Sequence, residues 1–161
     1  MKKLIVTRLV VVAAMAAPYS AKAIEDPFEK GTLIFGVQAG YYPYFGGTVY
    51  GDCVLVDSWW KGHFTVGAQI GTMGYNGFKH AFVSVAPRAT YGLNITDRFE
   101  VHVGTLVGLG TYFYHGGKDL HLCYGGLTGL RFFLTENLAL SAEVNYCGYN
   151  PYFNAGLAFK F

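Results

Sequence analysis

Tyr152-Phe153-Asn154-Ala155-Gly156-Leu157-Ala158-Phe159-Lys160-Phe161 is the stretch that decides the fold class. Phe153, Ala155, Leu157, Phe159 and Phe161 are apolar and occupy every second position, while Tyr152, Asn154, Gly156, Ala158 and Lys160, polar or small, fill the gaps. A period of two belongs to a β-strand with one apolar and one polar face. The alternation recurs upstream. Phe99, Val101, Val103, Thr105, Val107 and Leu109 share one face of a strand, and Glu100, His102, Gly104, Leu106 and Gly108 the other. Leu138, Leu140, Ala142, Val144 and Tyr146 likewise oppose Ser141, Glu143, Asn145 and Cys147. Charge falls on one side of these strands and apolar surface on the other.

Composition says where the apolar side goes. A water-soluble domain of this size carries about 25% charged residues; this chain has 14%, with 17% aromatics and 22 glycines. No stretch beyond residue 23 approaches the roughly 18 continuous apolar residues of a spanning helix. Apolar composition without long apolar runs is what strands with one lipid-facing side produce.

Residues 1–23 read as a cleaved signal peptide. Lys2, Lys3 and Arg8 form a positive start, 9–17 an apolar core, and Ala21-Lys22-Ala23 the small residues of a cleavage site. Removing Lys2, Lys3, Arg8 and Lys22 leaves eight basic against ten acidic residues. The basic excess thus belongs to the signal, and no nucleic-acid partner is expected. Residues 24–31 are expected as a periplasmic N-terminal segment and 32–161 as the folded unit.

Eight strands are expected, at 32–42, 52–60, 63–72, 80–92, 98–113, 120–133, 138–147 and 152–161. The second shows no clean alternation at Val54-Leu55-Val56. Ile95-Thr-Asp-Arg-Phe-Glu-Val101 aligns with Leu134-Thr-Glu-Asn-Leu-Ala-Leu140. Both read as a tight turn launching a strand, spaced by two strands and their loop. Aromatics gather at strand ends, with Tyr41, Tyr42, Tyr112, Phe113, Tyr146 and Phe153 in one band and Trp59, Trp60, Phe64, Tyr91, Phe132 and Phe161 in the other. Two bands around an aliphatic middle match the interfacial girdles of a membrane barrel. The expected fold is all-β: a membrane-spanning, eight-stranded, antiparallel up-and-down β-barrel.

The chain resembles the small eight-stranded bacterial outer-membrane barrels of the OmpA/OmpX/opacity type over nearly all of residues 24–161. Asn154, Gly156, Phe159 and Phe161 match the polar–x–Gly–x–x–aromatic–x–aromatic signal of the family's last strand. The resemblance implies outer-membrane localisation, a periplasmic C-terminus, and monomeric insertion by the barrel assembly machinery among lipids including lipopolysaccharide. The turns at 60–63, 94–97 and 134–137 are then periplasmic, and the loops at 43–51, 73–79, 114–119 and 148–151 external.

An eight-stranded barrel is just wide enough for side chains to fill. Phase directs Asp57, Arg88, Glu100, Arg131 and Glu143 inward, with His102 near Arg88 and Glu100 near Arg131. Paired interior charge satisfies the cost of burial, so a mutually neutralising plug is expected. The sharper alternative is an ion gate whose pairs exchange partners. The glycine pairs at four-residue spacing, such as Gly104/Gly108, fall on one strand face and make room for large lumen side chains.

Some barrels of this kind act on lipid A with a His-x-Ser pair on a late strand. Here that position reads Asn145-Tyr146-Cys147, so no enzyme is expected. His80, His115, His121 and Cys123 match no ligand spacing, and no metal or other cofactor is expected. Counting from the turn at 134–137 sets inward Cys123 and Cys147 opposite or one rung apart, so a disulfide is expected there, with Cys53 left over. The leading functional expectation is a non-enzymatic barrel with a structural or surface-interaction role. The alternatives are a transporter of small hydrophobic molecules, with Pro87 as the candidate break in the wall, a narrow gated pore, an adhesin, and the lipid A enzyme.

Overall fold

Period-two alternation resolves into eight antiparallel strands in the computed structural model, which describes residues 28–60, 62–75, 80–114, 117–148 and 150–161. They are β1 Leu33–Tyr41, β2 Phe45–Trp59, β3 Gly62–Tyr75, β4 His80–Thr96, β5 Phe99–Tyr114, β6 Gly117–Phe133, β7 Leu138–Asn145 and β8 Phe153–Lys160. Each pairs with its sequence neighbours, and β1 pairs with β8 to close the barrel.

The register fixes the stagger. From Gly40 it runs through Gly46, Met73, Phe82 and Tyr112 to Asp119 on β6. In the other direction it runs through Asn154 and Glu143 to Gly129, ten residues further along the same strand. A closed sheet with that offset tilts its strands by about 35–45° to the axis. Nothing is left as an open sheet edge over most of the wall, which is the condition for backbone in hydrocarbon.

Several strands run longer than their sequence pattern. Residues 45–51, expected as loop, belong to β2, so the first outer connection is only 42–44. The reason is that β2 turns Thr48, Tyr50 and Asp52 inward instead of an apolar set, and the alternation hides among glycines. β3 continues to Tyr75, β4 to Thr96 and β6 back to Gly117, each shortening an expected loop or turn. β7 stops at Asn145, two residues early, where Cys147 and Asn150 turn to buried positions. Two bulges in β2, between Val54 and Val56 and between Val56 and Trp59, shift its phase. Asp57, expected in the lumen, lies near the rim, two residues from the end of β2, where its Oδ2 accepts from the Lys30 amide at 3.3 Å. Pro87 removes a ladder donor, yet the β4–β5 register is the same on both sides of it, so the wall stays closed there.

The polarity of a soluble protein is inverted. Val37, Ile70, Val85, Val103, Val107, Leu140 and Leu157 are exposed on the outside, while Gln38, Asp52, His63, Gln69, Arg88, Glu100, His102, Arg131 and Glu143 are buried inside.

The charged interior as candidate functional site

Pairing of β5 with β6 sets Glu100 directly across from Arg131, and the β6–β7 register sets Glu143 across from Gly129, one rung away. Arg131 Nη1 donates to Glu100 Oε1 at 2.7 Å. Arg88 reaches across the lumen from β4, its Nη2 donating to Glu143 Oε1 at 3.0 Å and its Nη1 to Gln69 Oε1 at 3.0 Å. His102 stands between the two glutamates, Nε2 at 3.1 Å from Glu143 and Nδ1 at 3.5 Å from Glu100. On the wall Arg88 faces Leu106 and His102 faces Gly92, so the expected Arg88–His102 adjacency takes a different form: both converge on Glu143.

The structure adds members that the sequence phase did not single out. Asp52 joins the two arginines, 3.2 Å from Arg88 Nε and 3.6 Å from Arg131 Nη2. Its signal was present, two residues from Tyr50 and Val54, but Asp52 opened the expected strand at 52–60 and residues 45–51 before it read as loop. Tyr50 lies in the middle of the cluster, with Arg88 Cζ 4.2 Å from its ring centroid and Arg131 Nε donating to its hydroxyl at 3.3 Å. Ser141 bridges that hydroxyl and the Gln38 amide. His63 Nε2 sits 3.5 Å from Glu100. Three carboxylates and two guanidiniums thus share one water-poor space with two imidazoles. Guanidinium forks match this role because they donate in several directions at once.

Glycines supply the room. A Cβ at Gly36 would strike the Tyr50 ring, and one at Gly92 or Gly129 would strike His63 or His102.

Both mouths of the cluster are filled by the chain itself. At the end that carries Leu33 and Phe161, Phe28 is fully buried and stacks on His63 with centroids 4.1 Å apart. Phe133, Ile34, Val54, Ala139 and Ala158 pack with it, and the Lys160 ammonium lies 5.5 Å from its ring. Phe28, within the segment expected at 24–31, is thus inside the barrel mouth, while Glu29, Lys30 and Gly31 are exposed. A turn at Gly31, with φ of 94°, reverses the chain. At the opposite end Cys147, Asn150 and Pro151 are buried. Cys147 and Cys123 form a disulfide, Asn150 Oδ1 accepts from Ser84 Oγ at 2.7 Å across the lumen, and Asn154 Oδ1 accepts from Thr48 Oγ1 at 2.8 Å. Extending the register past Leu127 opposite Asn145 sets Cys147 beside Gly125, so the bond runs diagonally to Cys123.

Cys123 is thereby consumed, and His80 Nδ1 meets Tyr112 Oη at 2.9 Å. His121 is exposed above the mouth, and His115 lies outside the described residues. No group of three potential metal ligands occurs among the described residues. Asn154 and Gly156 of the last strand face inward, and Phe161 is exposed outside.

No protein-family model matches the chain, and no curated protein matches it in sequence. Among solved structures a de novo designed transmembrane β-barrel aligns over 83% of this chain and 98% of its own, with TM-score 0.57 and 14% identity. The fold is that of a transmembrane β-barrel. Two natural barrels align less closely. Ail, the attachment invasion locus protein of Yersinia pestis, covers 83% of this chain and 100% of its own at TM-score 0.48 and 13% identity. Neisserial surface protein A covers 81% and 94%, at 0.48 and 16%. In this barrel the interior is a filled, charge-paired core with a polar middle and apolar or disulfide-tied ends.

Proposed function

We propose that the chain is a non-enzymatic, monomeric barrel of the bacterial outer membrane, exported with a cleaved signal peptide and serving a structural or surface-interaction role. The observation that supports this reading is the combination of an apolar exterior with a lumen whose charges are paired and whose two mouths are occupied by Phe28 at one end and by Cys147, Asn150 and Pro151 at the other. A buried ionic set that has lost one partner is costly, so the cluster holds its members rather than exchanging them. Its neighbours are the surrounding lipids, including lipopolysaccharide, and the assembly machinery would read Asn154, Gly156, Phe159 and Phe161 on the closing strand. Lumen polarity argues against carriage of hydrophobic molecules.

Two measurements test this. The folded protein in detergent should migrate faster on a gel before boiling than after, and it should give no steady current in planar bilayers. Unitary conductance would replace the structural reading by the gated pore. Loss of an acyl chain from lipid A in cells producing the protein would replace it by the enzyme.

A further inference from the structure

The rim that carries residues 28–33 and Phe161 holds a second constructed feature. Trp59 ends β2 after the two bulges, and Trp60 follows with φ of 51°, a left-handed backbone that bulky residues seldom adopt. Bulges re-aim side chains. Here they bring Trp59 and Trp60 together with Tyr91 of β4 around one recess on the outer surface. Trp59 and Tyr91 stand almost perpendicular, with centroids 6.0 Å apart at 80°, and Phe64 backs Trp59 at 79°. The Tyr91 ring lies over Gly62, where any Cβ would meet its hydroxyl at 2.8 Å. Its Oη reaches the carbonyl oxygens of Trp59 and Trp60 at 2.9 and 3.0 Å. The hydroxyl thereby ties the Tyr91 ring to the backbone of the turn.

Aromatic faces are negative. Trp60 is 84% exposed, so the recess opens outward instead of closing on itself. Three aromatic side chains lining one recess make a site for an alkylammonium cation. We propose that Trp59, Trp60 and Tyr91 hold the ammonium group of a zwitterionic phospholipid headgroup at this edge of the membrane. A plain interfacial girdle would present aromatic rings too, but it would not need the left-handed Trp60 or the clamp from Tyr91.

This rests on the membrane-barrel reading, and its test is separable. The chain has two tryptophans, both in the recess, so intrinsic fluorescence reports the site directly. With the barrel first verified by heat-dependent gel mobility in nonionic detergent, emission is titrated with choline and with 3,3-dimethylbutan-1-ol, its uncharged isostere. The expected result is a saturable change with choline, and a response to the isostere that is weaker by roughly two- to five-fold per contributing ring. Tyr91→Ala should weaken the choline response by at least that factor, and Tyr91→Phe, which keeps the ring and loses the clamp, by less. In nanodiscs of matched acyl chains, phosphatidylethanolamine should change the emission relative to phosphatidylglycerol, with choline competing. Equal responses to choline and its isostere in a verified barrel overturn the cation site. A choline response with no difference between the two lipids overturns the headgroup as its occupant.

Discussion

Arg131 is the residue whose loss the interior tolerates least. It is fully buried and serves Glu100, Asp52 and the Tyr50 hydroxyl. Arg131→Met should leave two carboxylates short of a partner and cost about 3–5 kcal/mol, read as the urea midpoint of the heat-shifted form in lipid vesicles. Asp52→Asn should cost less than Glu100→Gln, since Asp52 sits at 3.2 and 3.6 Å from its arginines and Glu100 accepts at 2.7 Å. An equal loss for both would mean that the cluster is not organised around the Glu100–Arg131 pair. Phase in the sequence was enough to turn Arg88, Glu100, His102, Arg131 and Glu143 inward. It did not turn Asp52 inward, because Thr48 and Tyr50, which mark the inward face of β2, lie in residues 45–51 that read as loop.

The elements that differ most from their sequence pattern are β2 and the connection after β7. Bulges cannot be read from alternation, since one inserted residue moves every later side chain to the other face. Asp57 lies past the first of them, near the end of β2, where it meets the Lys30 amide and not the lumen cluster. The burial of Asn150 was equally invisible, for it depends on Asn150 reaching Ser84 on the far wall and on Gly71 leaving space for it. With the disulfide in place, thiol labelling of the denatured, unreduced protein should modify one cysteine per chain, Cys53. Replacing Cys123 and Cys147 by serine should lower stability by about 2–4 kcal/mol. It should also make 146–152 more sensitive to protease while leaving the heat-dependent gel shift intact. Labelling of three cysteines would remove the tie between β6 and this segment.

At the scale of the whole molecule, an apolar outer wall around a charged core has a definite consequence for substitution. Val107 is 57% exposed near the middle of β5. Val107→Arg should cost about 2–4 kcal/mol in a bilayer, as expected for a cation near the midplane of a barrel wall. In a water-soluble sheet the same exposed change would be close to neutral. The vesicle urea titration distinguishes the two, and a neutral result would remove the lipid from around this face.

Sequence by itself determined the strand count, the face of each regular strand and the inside-out polarity, because a period of two is set by the geometry of each strand and needs no partner. The closing strand at Phe153–Lys160 carried this most clearly. Only the tertiary structure decided who meets whom inside. The ten-residue stagger, the bulges of β2 and the two inward-folding ends set which side chains arrive at one height in the lumen. Those are properties of closure, in which every strand's position depends on all the others.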